Sequence, residues 1–383
     1  MYLDNFKTVY YKSKNKLMFV NPSLKSGGGN RVFVELSNLL TERFESVSIL
    51  YPNNSKDRSH YYINENVTLL PVGRVSTSIF KKILNVFSSI REIKKILDED
   101  SEMISIISDP ILSIFYMTLP KKYKKRTYRF VQADDYRIYD DLYILKNKII
   151  LSVYKNLCLK SYSDVDHLLF NSVYTYNQFK NLVPNTDASL KIVHPGINTS
   201  VFYNRKTRVS NQFNICLVAR KHPWKGFIDF ISAWNSIDQS VKEQINNIFI
   251  ISHDDLGEFN LPEKAKIIKP SSDIQISEVM NLAQIFISTS WWEGFGLPPL
   301  EAMACGCAVL CSNSKGILEY ALDRQNCMIY EPKNVGQLTN NLTKLILDAP
   351  LRNRLAAAAE VNAQKFTWQN AARQFSGILN ENS

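Results

Sequence analysis

The chain has 383 residues, of which 45% are apolar and 21% charged, and a formal net charge of +10. That length exceeds what one hydrophobic core fills, so two domains are expected, and the composition is that of an ordinary folded protein rather than a disordered one. The longest apolar candidate, Ile104–Leu119, is broken by Ser108, Asp109 and Pro110, which argues against a membrane span, and the polar, basic N-terminus lacks the apolar core of a secretory signal.

In chain order, a strand at Leu17–Val20 runs into Asn21–Arg31, a loop containing Gly27, Gly28, Gly29 and Asn30, and then into a helix over 30–43. Glycines after a first strand let backbone approach a ligand, and the following helix offers its amides. The loop lacks both the Lys-Ser/Thr ending of a nucleotide-triphosphate loop and the G-x-G-x-x-G order of a dinucleotide site, which excludes ATPase and NAD readings. Strands follow at Val47–Tyr51 and Val67–Leu70.

The next helix, 77–98, carries apolar residues at helical spacing, with Lys81, Lys82, Arg91, Lys94 and Lys95 on its other faces. Residues 1–200 hold 28 Lys and Arg against 19 Asp and Glu, whereas residues 201–383 hold 18 against 17. The positive excess therefore belongs to the first half. A basic amphipathic helix beside a second basic run, Lys121–Arg126, suits an anionic membrane surface; the alternative is a surface helix with a solvated lysine face. No recognition module accompanies the charge, so nucleic acid is not an expected partner.

Strand Ile104–Ile107, a helix over 109–118 and strand Thr127–Val131 lead to Gln132-Ala133-Asp134-Asp135, polar groups at a strand end that suit an acceptor pocket. An Asp pair without His or further carboxylates does not make a metal site. Asp140-Asp141 and Asp254-Asp255 read as cap or surface acids. A helix over 138–161, strand His167–Phe170, a helix over 172–182 and strand Lys191–His194 end at the turn-rich boundary His194–Asn198.

The pattern then restarts. Strands are expected at Phe213–Val218, Asn247–Ile251, Ala265–Lys269, Ile285–Ser288, Ala308–Cys311 and Cys327–Tyr330. Helices are expected near 226–237, 240–246, 276–283, 299–305, 315–323, 335–348, 351–364 and 368–379. This alternation predicts an α/β protein with two doubly wound, Rossmann-like domains facing across a cleft, with ligands at the C-terminal strand ends. The domains are placed at 1–197 and 198–365, with a terminal helix in 366–383. The six cysteines, including Cys305 and Cys307, lack metal spacing and read as small buried residues in a reducing compartment.

Two loops of the second half carry charge at such strand ends. Ala219–Phe227 offers Arg220, whose fork suits phosphate oxygens, and Lys225, a mobile point charge. The segment 288–307, STSWWEGFGLPPLEAMACGC, combines a strand end, a glycine-broken loop, a helix start and two carboxylates, Glu293 and Glu301. Helix amides favour anionic oxygens and carboxylates accept hydrogen bonds from sugar hydroxyls, so the segment fits a ligand bearing both.

WWEGFGLPPLEAMACGCAV resembles the E-x7-E segment of retaining GT-B glycosyltransferases, specifically glycosyltransferase family 4. VARKHPWKGF, VHPGINTSVF, SGGGNRVFVELSNLL and FTWQNAARQF resemble that family's Arg–Lys loop, interdomain segment, glycine loop and closing helix, which crosses back to the N-terminal domain. The resemblance implies a GT-B fold with an N-terminal acceptor domain and a C-terminal nucleotide-sugar domain. It implies that Glu301 binds the donor ribose and that Glu293 faces the donor sugar. Gly294, Phe295, Gly296 and Leu297 would line that sugar and its distal phosphate, and Arg220 and Lys225 would neutralise the leaving diphosphate. Gly28, Gly29 and Asn30 would approach the phosphate or the acceptor, and Gln132, Asp134 and Asp135 would meet the acceptor.

The implied activity is metal-independent, retaining hexosyl transfer from a nucleoside-diphosphate sugar (UDP or GDP favoured, dTDP possible) to a lipid-linked glycan, as in O-antigen or capsule synthesis. The implied location is the cytoplasmic face of the membrane, without a cofactor. A catalytically inactive GT-B-like binding or scaffold protein is the alternative. Three departures stand out: Ala219 replaces a Gly, Gln132 replaces a His, and Ser314–Glu319 replaces the Gly-Gly-Ile-Pro-Glu loop.

Overall fold

The structure is a computed structural model that describes residues 12–24, 27–53, 61–74, 79–137, 147–164, 166–185, 191–208 and 213–381, with backbone only over 79–83. Strands β1 (Ser13–Val20), β2 (Phe44–Pro52), β3 (Val67–Val72), β4 (Met103–Ile107), β5 (Thr127–Val131) and β6 (His167–Phe170) form one parallel sheet, in the order β3-β2-β1-β4-β5-β6. Strands β7 (Asn214–Val218), β8 (Asn247–Ile251), β9 (Ala265–Ile268), β10 (Ile285–Ser288), β11 (Ala308–Ser312) and β12 (Met328–Tyr330) form the second, ordered β12-β11-β10-β7-β8-β9. β5 and β11 are buried along their whole length, as parallel strands covered on both faces must be. The alternation of short apolar runs with amphipathic helices predicts these two doubly wound sheets, and the fold is GT-B, as the motif resemblance implies.

Side-chain alternation along the strands divides the first lobe's core in two. Leu17 and Phe19 face the helix Gly28–Leu40 and the terminal helix Trp368–Glu381, where Phe19 packs edge-on against Phe33 at 5.1 Å and meets Phe375 at 5.7 Å. Met18, Val20 and Leu50 face the helix Ile79–Glu99 through Ile90, Ile93 and Leu97. The terminal helix returns to the first lobe beside a bridge between Ile197 and Thr367. Close passage there requires Gly196, because a Cβ would lie 2.2 Å from the Thr367 carbonyl carbon.

Several sequence expectations are corrected. Lys191–His194 is not a strand: it contributes a single bridge, Ile192 to Phe170, before Pro195 ends pairing. The expected helix 315–323 is one 3-10 turn, Gly316–Glu319, entered through Lys315 at a positive φ of 66°. Irregular backbone there carries Glu319 to the first lobe, where its carboxylate accepts from the Val173 amide at 2.6 Å and pairs with His194 Nε2 at 2.7 Å. The helix expected over 138–161 is seen at Lys148–Tyr162, and residues 138–146 lie outside the described residues. So do residues 77 and 78 of the basic helix, together with the side chains of Lys81 and Lys82.

The basic run 121–126 is largely structural. Lys122 pairs with Asp98 at 2.8 Å, Lys124 is buried against Asp164 at 2.5 Å, and Arg126 donates to the carbonyls of Leu97 and Asp100. Lys94 also reaches Asp98, and Lys95 reaches Glu92, so the face expected to meet lipid is partly neutralised by its own acids. Among the described residues, no helix is long and apolar enough to cross a membrane.

Candidate functional site

In the second sheet the strand order reverses between the neighbours β7 and β10, and open α/β sheets receive ligands at such a point. Both charged loops leave from these two strands. After β7, a 3-10 turn at Pro223–Lys225 ends in Gly226 at φ 61°, where a Cβ would lie 2.1 Å from the Thr289 carbonyl oxygen. Only glycine fits, and the tight approach holds the Lys225 loop against the loop after β10. That second loop ends in Gly296 at φ 83°, followed by the helix Leu297–Ala304.

Pro298 and Pro299 suit the first helical turn because its N–H groups would be unpaired anyway. They also leave N–H groups only at Leu297 and Leu300 among the first four positions. This helix end is therefore a weaker anion site than its position suggests, and negative charge has to be met by side chains.

Those side chains line a cavity of about 360 Å³ between the lobes, which includes Arg220, Trp224, Lys225, Trp292 and Glu293 from the second lobe and Gly28, Gly29 and Gln132 from the first. Lys225 Nζ lies 2.5 Å from Glu293 Oε1. Arg220 Nε donates to Asp254 Oδ2 at 2.9 Å, and the Lys221 amide donates to the same oxygen at 2.8 Å. Burial pushes the Asp254 carboxyl up, but these donors outweigh it and hold its pKa below the ordinary value. Asp254, read from the sequence as a cap or surface acid, thus positions Arg220. Gly294, Phe295, Gly296 and Leu297 also line the cavity. The Gly294 carbonyl accepts from Ser172 Oγ of the first lobe at 2.6 Å, and the Glu293 amide donates to the Ser314 carbonyl at 2.9 Å.

Glu301 opens instead onto an adjoining cavity of about 150 Å³, which shares Gly28, Val218, Arg220, Leu297 and Pro298 with the larger one. Its side chain is buried, and Oε1 accepts from Arg31 Nη1 of the first lobe at 2.5 Å. Burial raises the Glu301 pKa above the usual carboxylate value despite the guanidinium.

On the first-lobe side, Gln132 Nε2 donates to Ser108 Oγ at 3.1 Å and lies 3.4 Å from the Gly29 carbonyl oxygen, tying together the loops after β1, β4 and β5. The acceptor role expected of its neighbours is not supported. Asp135 is buried beneath the sheet, 2.8 Å from the fully buried Arg129, and accepts from Tyr162 as well. Burial lifts its pKa to about 6 against the pull of Arg129. Asp134 is also buried and accepts from Gln178 Nε2 at 3.1 Å. Neither lines a cleft cavity, because the chain turns inward directly after Gln132 and Ala133. Asn30 turns toward Ser23 Oγ at 3.1 Å and also lines neither cavity.

Sequence reasoning missed three features. Trp224 stacks on His222 at 4.5 Å and on Trp292 at 5.8 Å, making an aromatic wall beside Lys225 and Glu293; the Trp-Trp and Pro-Trp dipeptides were its signal. Arg31 sits on the buried face of its helix among Val32, Phe33 and Val34, and a charge in an apolar pattern is the only hint. Asp273 meets Arg31 at 3.0 Å and carries no motif. A wider depression of about 780 Å³ beside β12, lined by residues such as Asn313, Asp323 and Glu331, shares no residue with the cleft. Some of its polar groups are already engaged, Asn313 Nδ2 by Glu331 and Asp323 by the Ile329 amide.

Residues 202–361 match the family described as Glycosyl transferases group 1. The chain is 32% identical over 129 residues to D-inositol 3-phosphate glycosyltransferase of Stackebrandtia nassauensis, covering 34% of this chain and 29% of that protein. It is 34% identical over 92 residues to O-antigen chain mannosyltransferase B of Escherichia coli, covering 24% of each. The matched stretches thus span less than a third of either relative's length. Across 96% of this chain, the structure superposes on the whole of the Anabaena protein HepE, solved in complex with UDP and glucose, with a TM-score of 0.70 and 16% identity. Residues 202–361, which carry the Lys225–Glu293 pair and Glu301, thus form a region similar to the group 1 glycosyl transferases, set within a GT-B fold.

Proposed function

We propose that the chain is a retaining, metal-independent glycosyltransferase of family 4, moving a sugar from a nucleoside-diphosphate sugar to a lipid-linked glycan in the synthesis of a bacterial surface polysaccharide. The observation that carries this reading is the meeting of Arg220, Lys225 and Glu293 in one interlobe cavity at the point where the second sheet reverses its strand order. Two cations from one loop would stabilise charge as it develops on a departing diphosphate, the task a metal ion performs elsewhere. Asp254 fixes the direction of the Arg220 fork. Trp224 and Trp292, stacked on one another in the cavity wall, would keep water from the sugar, which strengthens these interactions. Glu293 would face the sugar ring. In a front-side route the leaving phosphate helps deprotonate the acceptor hydroxyl, and the reading assigns no nucleophile beneath the ring.

The reading includes peripheral docking at the cytoplasmic membrane face. Its support lies on the helix Lys148–Tyr162, which carries Lys148, Lys155 and Lys160 and no acid. On that helix Ile149, Val153 and Leu157, spaced four apart, are 76%, 53% and 36% exposed. The test of the activity is incubation with a panel of nucleotide sugars and a lipid-linked acceptor extract, read by mass spectrometry. Appearance of a hexose-extended acceptor together with free nucleoside diphosphate is the expected result. Failure to release nucleoside diphosphate from any donor, with or without acceptor, would leave the scaffold reading in its place.

A further inference from the structure

The first lobe sends one cation deep into the second. Arg31 lies one helical turn beyond the cleft-lining Gly28, and its guanidinium is almost fully buried. Nη1 meets Glu301 Oε1 at 2.5 Å, Nη2 meets Asp273 Oδ2 at 3.0 Å, and Nε lies 3.7 Å from Glu35 of its own helix. The rings of Phe202 and Tyr61 flank it at 5.5 and 5.8 Å. Three carboxylates thus surround one guanidinium. Burial alone would weaken the Arg31 charge, but the three acids outweigh it and keep the group cationic. Burial dominates at Glu301 and Glu35 and raises both.

Arg31, Asp273 and Glu301 line the cavity of about 150 Å³, where a ligand hydroxyl can reach the Glu301 carboxylate. Arg220 borders both this cavity and the larger one, so a diphosphate held at Arg220 leads its ribose toward Glu301. The Arg31 bond occupies Oε1 of Glu301 and leaves Oε2 for a hydroxyl.

We infer that Arg31 is a positioning residue for the donor: reaching across the cleft, it orients the Glu301 carboxylate so that the ribose diol of the nucleotide is read only when the lobes are together. The inference rests on the donor assignment made above. It differs from a plain interlobe ion pair in one measurable respect. A pair that merely joins the lobes would not distinguish a ribose from a 2′-deoxyribose, whereas a carboxylate held for the diol would.

The test is calorimetric titration of the full chain with UDP, GDP and their 2′-deoxy counterparts. Wild type is expected to prefer the ribonucleotide by about tenfold, the worth of one charge-assisted hydrogen bond. Arg31→Met should bring that preference to within about twofold while the melting temperature shows a folded protein, and Arg31→Lys, which keeps the charge but loses the fork, should fall between. If Arg31→Met does not fold, Arg31→Lys decides: a ribose preference equal to wild type overturns the inference. A wild type that binds both sugars equally overturns it too, leaving the donor assignment standing. A wild type that binds no nucleoside diphosphate removes the donor assignment and the inference with it.

Discussion

Lys225 Nζ and Glu293 Oε1 stand 2.5 Å apart although they come from loops 68 positions apart in the chain. The cation proposed to meet the diphosphate is thus bonded to the acid proposed to face the sugar, and removing either changes the other. Lys225→Ala and Glu293→Gln should each cost about 2–4 kcal/mol in transition-state stabilisation, measured as kcat/KM. The double variant should lose less than the sum, because the residues act on one another. Additive losses would show two independent roles; turnover near wild type in both single variants would remove the role assignment.

Gly294 sets how closely the lobes approach. A Cβ there would lie 1.9 Å from the Gln132 carbonyl oxygen, a backbone atom of the first lobe that cannot swing aside. Gly294→Ala should widen the cleft at a cost of about 1–3 kcal/mol, visible as a larger radius of gyration by X-ray scattering and a fall in kcat. Overall folding should persist, since each lobe keeps its own sheet. An unchanged radius together with unchanged kcat would contradict the proximity.

Burial raises the pKa of Glu301 above the 4.5 of an ordinary Glu. Protonation removes an acceptor from the ribose, so donor affinity should weaken on acidification before an ordinary carboxylate would titrate. The same shift acts oppositely on the unliganded fold. A carboxyl whose folded pKa lies above its unfolded value adds stability at low pH, and that contribution is lost as the pH rises through the folded pKa. Nucleotide affinity and unliganded melting temperature, followed on acidification from neutral pH and compared between wild type and Glu301→Gln, should therefore separate. A pH-independent affinity in wild type would contradict the assignment.

Asp135 is buried inside the first lobe against Arg129. Asp135→Asn leaves the buried Arg129 charge uncompensated and should destabilise the fold by about 3–5 kcal/mol in denaturant titrations. Activity per folded molecule and acceptor KM should hold. A rise in acceptor KM without a loss of stability would restore the role read from the sequence.

The parallel sheets were legible because their strands are short apolar runs set between helical patterns, and because turn residues such as those of His194–Asn198 punctuate the chain between the lobes. The two charged loops were also legible, since Arg220, Lys225 and Glu293 lie within a few residues of strand ends. What the sequence hid is what depends on the meeting of distant segments. Arg31 and Glu301 are 270 positions apart, and nothing local marks them as partners. Asp134 and Asp135 sit at a strand end like true site residues, and only the inward turn of the chain onto Arg129 and Gln178 separates them from the cleft. The turn at Gly316–Glu319 failed as a helix because Glu319 is held by Val173 and His194 of the other lobe, a tertiary contact that overrides local propensity.

Membrane docking is proposed for the helix Lys148–Tyr162, whose exposed Ile149, Val153 and Leu157 are accompanied by lysines and no acid. The protein should bind vesicles of mixed phosphatidylglycerol and phosphatidylcholine, binding should weaken with added salt, and Ile149→Ser with Val153→Ser should weaken it further. Absence of binding at low salt would reject the docking.

The most direct measurement is a crystal structure of the complex with a nucleoside diphosphate. Phosphate oxygens are expected within hydrogen-bonding distance of Arg220 and Lys225, with the ribose beside Glu301. A diphosphate seated elsewhere, for instance in the depression beside Asn313 and Glu331, with the cleft left empty, would contradict the proposed site.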